Sequence, residues 1–218
     1  IIISVNYLFL IDNDIIDHSK QLTFNIHGSL LPKYRGRTPH VWAIINNEKE
    51  TGITAHVIDQ GCDTGDIIQQ NKIAIEKNDT GNDLLEKFKQ EYFRIIKEVI
   101  IKVMLNKLHL VKQDEGLATY FGVRKPEDGR INWDWQKERI VNWVRALAKP
   151  YPGAYSYIND KKLIIDDVGI ISTGYSFDIE NGTILASAPN IVVKTTNGAL
   201  EIKKLREFSE LKVGDKLI

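Results

Sequence analysis

The chain has 218 residues, with 29 Lys or Arg balanced by 29 Asp or Glu, so its formal net charge is zero. This length gives one large or two small domains with enough core to fold unaided, and the charge balance does not favour a nucleic-acid binder, which usually has a basic excess. The single cysteine, Cys62, rules out an internal disulfide and suits a reducing cytoplasm, and no apolar run approaches membrane-spanning length.

Strands and helices alternate in the first half of the chain. The predicted elements are a buried parallel strand at residues 1–5, a short helix at 12–19, a strand at 22–26, a helix opened by Thr38-Pro39, strands at 52–58 and 67–75, and a long helix at 78–106. β-branched runs favour the strands, and apolar positions at helical spacing favour the long helix. The order predicts an α/β domain over residues 1–112.

The second half of the chain has a different composition. Residues 113–117 are polar and contain a glycine, which predicts a linker. A helix is predicted at 136–148, followed by short strands at 154–158, 163–168, 183–188, 191–195 and 199–205. Turn pairs such as Asn159-Asp160 and Asn197-Gly198 separate these strands. Short strands with tight turns predict a small β-barrel over residues 117–218.

Two polar residues, Asn25 and His27, stand at the end of the second predicted strand. Strand alternation turns both side chains to the same side, and Gly28 then allows the chain to turn sharply. Ligands of open α/β sheets bind at the carboxyl ends of the strands. An amide that donates a hydrogen bond and an imidazole that accepts a proton are groups needed to move an acyl group onto an amine.

A carboxylate that could orient or charge this imidazole lies in the glycine-bracketed turn at residues 61–65. Asp63 is the candidate, and its neighbours Asp59 and Asp66 are the alternatives. Gly61 and Gly65 would permit positive φ angles and a close approach of the backbone to a flat ligand. The sequence therefore predicts an amide, an imidazole and a carboxylate at one site.

Several separated motifs resemble those of the folate-dependent formyltransferases. They are Asn25-x-His27-Gly-Ser-Leu-Leu-Pro32, Tyr34-Arg35-Gly36, Thr51-Gly52-Ile53-Thr54 and Asp63-Thr64-Gly65-Asp66. The resemblance covers nearly the whole chain, and residues 118–133 and 145–154 resemble the branch that N-formylates nucleotide-linked amino sugars of bacterial surface polysaccharides. It implies a partial Rossmann-like core, lacking its first portion, followed by an OB-like domain.

The resemblance also implies roles for individual residues. Asn25, His27 and Asp63 match the family's catalytic residues, which transfer a formyl group from N10-formyltetrahydrofolate to an amine and need no metal. The residues expected to contact this co-substrate are Ser4, Asn6, Tyr7, Val57, Ile58, Asp59 and Gly61. Arg35 and Arg37, with Tyr34, are expected to bind the substrate, since a guanidinium matches the oxygens of a diphosphate, but a solvated role for one arginine stays open.

The predicted function is formyl transfer to a nucleotide-linked amino sugar by a cytoplasmic enzyme, without a nucleic-acid or membrane partner. One rival is methionyl-tRNA formyltransferase; another is a non-catalytic remnant that binds folate or a sugar nucleotide. Residues 117–218 contain 15 Lys or Arg against 13 Asp or Glu, a weak positive bias for a domain that grips tRNA. The sequence leaves open the sugar, its amine position, the uridine or thymidine carrier, and whether the protein forms a homodimer.

Overall fold

The computed structural model describes residues 1–7, 9, 11–207 and 210–218. Its α-helices are α1 Asn13–His18, α2 Pro39–Ile45, α3 Gly81–Met104 and α4 Lys137–Leu147. Its strands are β1 Ile2–Val5, β2 Thr23–His27, β3 Arg35–Gly36, β4 Glu50–Val57, β5 Ile67–Ala74, β6 Tyr120–Phe121, β7 Ala154–Ile158, β8 Lys161–Ile171, β9 Ile184–Ala186, β10 Ile191–Thr195 and β11 Gly198–Leu205. Over these residues, no helix combines the length and the apolar character needed to cross a membrane.

The chain divides into two compact units. The first comprises Ile1–Ala43, Glu48–Glu76 and Asp83–Arg124, and the second comprises Ile44–Asn47, Lys77–Asn82 and Lys125–Ile218. The first unit contains a mixed sheet of strand order β1-β2-β4-β5, in which β1 and β2 are parallel and the other pairs are antiparallel. The second contains an antiparallel sheet of order β7-β8-β11-β10-β9, which curls into a half-barrel. The predicted α/β core and OB-like domain are thus confirmed.

Burial in the first unit follows the predicted helical spacing of α3. Its innermost side chains are Leu84, Phe88, Ile95 and Val99, each at most 1% exposed. Such an apolar stripe at intervals of three and four residues gives a long helix one buried side. The strand pairs of the sheet supply the other core residues, including Phe24, Ile53 and Ala55.

Strand β1 differs from its prediction as a buried strand. It lies at the edge of the sheet, and Ile1, Ile3 and Val5 are 46%, 37% and 36% exposed. Alternation leaves one side of an edge strand outward, whereas Ser4 on the other side is buried. A β-branched run signals a strand but does not tell whether one or both faces are covered.

The predicted linker between residues 1–112 and 117–218 is also different. Val111 forms a bridge with Ile67, and Gln113 is only 5% exposed. Further along, Tyr120 and Phe121 form β6, which pairs with β3 of the same unit. Residues 111–121 therefore belong to the first unit. Most of them are exposed, but Gln113 is buried and makes hydrogen bonds inside this unit.

The second unit surrounds one face of α4. Ile140, Val144 and Leu147 are buried, as their spacing predicts. At the β7–β8 turn, Asn159 and Asp160 have φ angles of 45° and 63°. Two consecutive left-handed residues are what a tight hairpin turn of the primed type needs, so the predicted turn pair forms.

Helix α3 allows a direct comparison of buried and exposed positions. Phe88→Ala should lower the free energy of unfolding by about 3–5 kcal/mol, because it empties a closely packed position that is 1% exposed. Phe93→Ala is the matched control, since Phe93 is 82% exposed on the same helix and its truncation should cost less than about 0.5 kcal/mol. Urea denaturation of both variants measures the difference, and equal losses would contradict the assigned burial of α3.

Candidate active site

A row of polar side chains crosses three strands of the first unit. The pairing register puts Ser4 of β1 beside Asn25 of β2, and Asn25 beside His56 of β4. Directly paired residues point to one face of a sheet, and His27, two residues beyond Asn25, shares this face at the last position of β2. All four side chains line one open cavity of about 720 Å³.

The same cavity contains most of the residues predicted to contact folate. Six of them line it: Ser4, Asn6, Tyr7, Ile58, Asp59 and Gly61. The seventh, Val57, bonds within the protein, because its N–H donates to the Asp66 carbonyl and its own carbonyl accepts from His56 Nδ1, both at 2.9 Å. Apolar Ile58, Leu85 and Phe88 complete the lining. A mostly apolar wall with a few polar groups is typical of small-molecule sites.

His27 is fixed by a backbone carbonyl. Its Nε2 lies 2.7 Å from the oxygen of Tyr34, which can only accept, so Nε2 carries a proton. In the neutral ring the lone pair is then on Nδ1, 3.4 Å from Asp63 Oδ2. Burial lowers the pKa of His27 below 6.5, and the charge of Asp63 and the Tyr34 carbonyl partly offset this effect. Near neutral pH, Nδ1 is therefore available to take a proton.

Asp63 is held in an unusual backbone conformation that favours its charged form. Its φ angle is 57°, and its Oδ2 accepts a hydrogen bond of 2.9 Å from the Gly36 N–H. Burial opposes ionisation, but the contact with His56, the charge of His27 and the Gly36 N–H together lower the pKa of Asp63 well below its usual range. The carboxylate is therefore ionised, and it is placed to stabilise a proton on His27.

His56 is a further site residue, which the sequence motifs do not single out. Its Nδ1 donates to the Val57 carbonyl at 2.9 Å, which leaves the neutral-ring lone pair on Nε2. This Nε2 lies 3.3 Å from Asn25 Nδ2 and 3.5 Å from Asp63 Oδ1. In the neutral ring Nε2 accepts from Asn25, whereas in the protonated ring it can donate to Asp63 and stabilise the carboxylate. One N–H of the Asn25 amide is thereby directed to His56, and the other remains for a ligand. The contact of His56 with Asn25 follows from the pairing register of β2 and β4, which local sequence patterns do not specify.

The loop before Asp63 is shaped by Asp59. Asp59 Oδ1 accepts from the Gly61 N–H at 3.1 Å and from Thr64 Oγ1 at 2.6 Å. Gly61 and Gly65 could adopt positive φ angles, but neither does. The requirement at Gly65 is steric, because a Cβ there would stand 1.9 Å from the Val57 carbonyl oxygen. Asp59 lines the cavity while its carboxylate fastens the loop.

Arg35 does not have the accessible position expected of a substrate-binding residue. It is fully buried, and its guanidinium donates to Gln113 Oε1 at 2.8 and 3.1 Å and to the Glu115 carboxylate at 2.7 and 2.9 Å. A further N–H donates to the Tyr120 hydroxyl. A buried guanidinium with its donors used in this way fixes the chain and is not placed for a diphosphate.

Tyr34 likewise packs inside the protein. Its side chain is 8% exposed, its hydroxyl donates to Glu48 at 2.7 Å, and its ring stacks on Phe121 at 4.9 Å. Its contribution to the site is the carbonyl that holds His27. Arg37, in contrast, lines the cavity, so it remains the candidate for contact with an anionic substrate group.

The charge of Asp63 predicts how His27 titrates. Asp63→Asn should lower the pKa of His27 further, because it removes the carboxylate that partly offsets burial. Asp59→Asn is the matched control, as it makes the same change in the same loop at a carboxylate bonded to Gly61 and Thr64. NMR titration of the imidazole signals measures both variants. An unchanged pKa in Asp63→Asn would show that Asp63 does not act on His27.

Two sequence profiles of one family match the chain in succession. The profile described as "Formyl transferase" matches residues 1–100, and that described as "Formyl transferase, C-terminal domain" matches residues 124–212. A curated relative, the bifunctional polymyxin resistance protein ArnA of Wigglesworthia glossinidia brevipalpis, is 39% identical over 202 residues. The match covers 93% of this chain but only 30% of that relative.

Two solved structures share the fold and a moderate part of the sequence. The N-formyltransferase of Helicobacter canadensis, solved with folinic acid and dTDP-3-aminofucose, is 27% identical with a TM-score of 0.67; the match covers 82% of this chain and 65% of that one. WlaRD, a sugar 3N-formyl transferase solved in the presence of dTDP and 5-N-formyl-THF, is 29% identical with a TM-score of 0.71; the match covers 94% and 73%.

This chain thus spans less than two thirds of the length of ArnA and of the Helicobacter canadensis enzyme. Both halves of the chain nevertheless match the family in the family's own order, and nearly the whole chain aligns with one relative at 39% identity. The chain belongs to the formyl transferase family.

Proposed function

We propose that the protein transfers a formyl group from N10-formyltetrahydrofolate to the amine of a nucleotide-linked amino sugar. One observation carries the proposal: an amide, a neutral imidazole and an ionised carboxylate, from Asn25, His27 and Asp63, line the same cavity. An acyl transfer to an amine needs a donor for the oxygen that becomes negative and an acceptor for the proton that the amine loses.

The cavity fits a folate in size and chemistry. N10-formyltetrahydrofolate supplies a formyl group whose carbonyl carbon is the electrophile. The cavity has a volume of about 720 Å³, and its apolar side at Ile58 and Phe88 suits a flat ring system. Polar groups of Ser4 and Asn6 would hold the folate's edge. The folate derivatives in the two similar structures, folinic acid and 5-N-formyl-THF, support the same co-substrate.

A nucleotide-linked amino sugar is the acceptor that best agrees with the similar proteins. The Helicobacter canadensis enzyme was solved with dTDP-3-aminofucose, and WlaRD is a sugar 3N-formyl transferase. Arg37 lines the cavity and would contact the diphosphate, since a guanidinium pairs well with phosphate oxygens. Such sugars serve the synthesis of bacterial surface polysaccharides, and the single cysteine suits a cytoplasmic enzyme.

Each side chain has one task in the proposed mechanism. Asn25 gives one N–H to His56 and donates the other to the formyl oxygen as that oxygen gains negative charge. His27 takes the proton of the attacking amine on Nδ1, and the Tyr34 carbonyl keeps Nε2 protonated throughout. Asp63 stabilises the resulting imidazolium. His27 then returns this proton to N10 as the bond between N10 and the formyl carbon breaks.

Truncation of the two strand residues tests the chemical assignment. His27→Ala and Asn25→Ala should each lower turnover by at least about 100-fold, because each removes a group that acts on charge developing in the transition state. His109→Ala and Asn190→Ala make the same changes at exposed positions outside the cavity and should keep the parent rate. Near-parent turnover in a folded His27 or Asn25 variant would refute the assignment.

The class of substrate is decided by a second experiment. A tRNA substrate needs many phosphate contacts, so its binding would weaken steeply as salt rises. We expect formylation of at least one member of a panel of UDP- and dTDP-linked amino sugars, and no specific binding of initiator tRNA at moderate salt. Efficient formylation of charged initiator tRNA, without activity on any amino sugar, would favour methionyl-tRNA formyltransferase instead.

A further inference from the structure

One buried side chain joins the segment at residues 34–36 to the loop that carries Asp63. The amide of Gln113 donates to the carbonyl of Asp63 at 2.8 Å and to that of Gly65 at 2.7 Å. Its oxygen accepts from Arg35 Nε at 3.1 Å and from Arg35 Nη2 at 2.8 Å. These four bonds use the two donors and both lone pairs of the amide, so Gln113 is fully committed to this connection.

The segment that Gln113 holds supplies both bonds that define the geometry of His27 and Asp63. The Tyr34 carbonyl accepts from His27 Nε2, and the Gly36 N–H donates to Asp63 Oδ2. Arg35 lies between these two residues and is fully buried. A movement of this segment relative to the Asp63 loop would therefore change the 3.4 Å separation of His27 Nδ1 and Asp63 Oδ2.

The Asp63 loop needs such a restraint. Asp63 has a φ angle of 57°, in the left-handed region that is disfavoured for a residue other than glycine. Conformations of this kind persist when the surrounding contacts determine them. Two of the restraining contacts, at the carbonyls of Asp63 and Gly65, come from the single amide of Gln113.

We propose that Gln113 is a positioning residue that holds the Asp63 carboxylate at its working distance from His27. Gln113 is not one of the described residues that line the cavity. It therefore acts through Asp63 and does not touch the substrate. The expected effect of Gln113 on turnover rests on the proposed function. Its expected effect on the His27–Asp63 pair does not.

Gln113→Glu separates the two arms of the connection, which are the bonds accepted from Arg35 and the bonds donated to the Asp63 and Gly65 carbonyls. Glutamate keeps an oxygen acceptor for Arg35 but replaces the amide donors with an oxygen that repels the Asp63 and Gly65 carbonyls. The groups that act on His27 are Asp63 and His56, with Arg37 and His40 on the same cavity. We expect the His27 titration to move to lower pH, as in Asp63→Asn. The displaced Asp63 carboxylate is 3.4 Å from His27 Nδ1 in the parent, so its loss outweighs the new carboxylate, which is paired with Arg35. We also expect kcat to fall roughly 10- to 100-fold with KM little changed, because misplacement by about 1 Å costs this much.

Gln70→Glu is the matched control. Gln70 also gives its amide N–H groups to buried partners in the first unit, the Leu31 carbonyl at 2.8 Å and Thr54 Oγ1 at 2.9 Å. It should lose stability while the titration of His27 stays at the parent value. An unchanged His27 titration in folded Gln113→Glu, or an equal shift in Gln70→Glu, would overturn the proposal.

Gln113→Met provides a second variant of similar length without a new charge. It removes both arms and should shift the His27 titration in the same direction, so the test does not depend on the folding of Gln113→Glu. The NMR titration needs no substrate. If the parent transfers no formyl group, the proposed function fails, and the titration still decides the role of Gln113.

Discussion

The candidate site depends on an ionised carboxylate held in a mostly buried position beside a neutral imidazole. The side chain of Asp63 is only 12% exposed, and burial alone would favour its protonated form. The Gly36 N–H reverses that preference, together with His27 and His56 when these rings are protonated. This fixed negative charge stabilises the protonated form of His27 in a buried site. The acid–base chemistry of the cavity therefore depends on it.

This constraint explains why several residues of the first unit hold His27 and Asp63 in place through specific hydrogen bonds. Three consecutive residues have complementary tasks: the Tyr34 carbonyl selects the protonated nitrogen of His27, Arg35 anchors the segment, and the Gly36 N–H holds Asp63. Such partners, which position the groups that act, must be rigid because a small displacement is costly to a preorganised site. Their arrangement makes the loop after β2 a structural part of the site.

The sequence predicted the parts of the site that local patterns can encode. Asn25 and His27 share a face because strand alternation requires it, and the family motif singled out Asp63 from its acidic neighbours. His56 was missed because its role comes from the pairing of β2 with β4, which local periodicity does not specify. Arg35 was assigned to a diphosphate because its chemistry fits one, but burial against Gln113 and Glu115 is a tertiary property.

The second unit and strand β1 show the same contrast between features that local patterns predict and features that depend on tertiary contacts. Turn pairs and alternation predicted the short strands, whereas the exposure of Ile3 and Val5 in β1 depends on whether another element covers that face of the sheet. The polarity of residues 113–117 predicted a linker, because a buried glutamine and an exposed one have the same sequence signal. What sequence patterns leave open is which polar groups find partners inside the fold.

In the proposed mechanism His27 uses Nδ1 as its proton acceptor, because Nε2–H is donated to the Tyr34 carbonyl. Long-range ¹⁵N–¹H NMR of the histidine-labelled protein above the His27 titration measures this directly. We expect the neutral ring to carry its proton on Nε2, with Nδ1 unprotonated. A neutral ring protonated on Nδ1 would contradict it, since the lone pair would then face the Tyr34 carbonyl and could not take the proton of the amine.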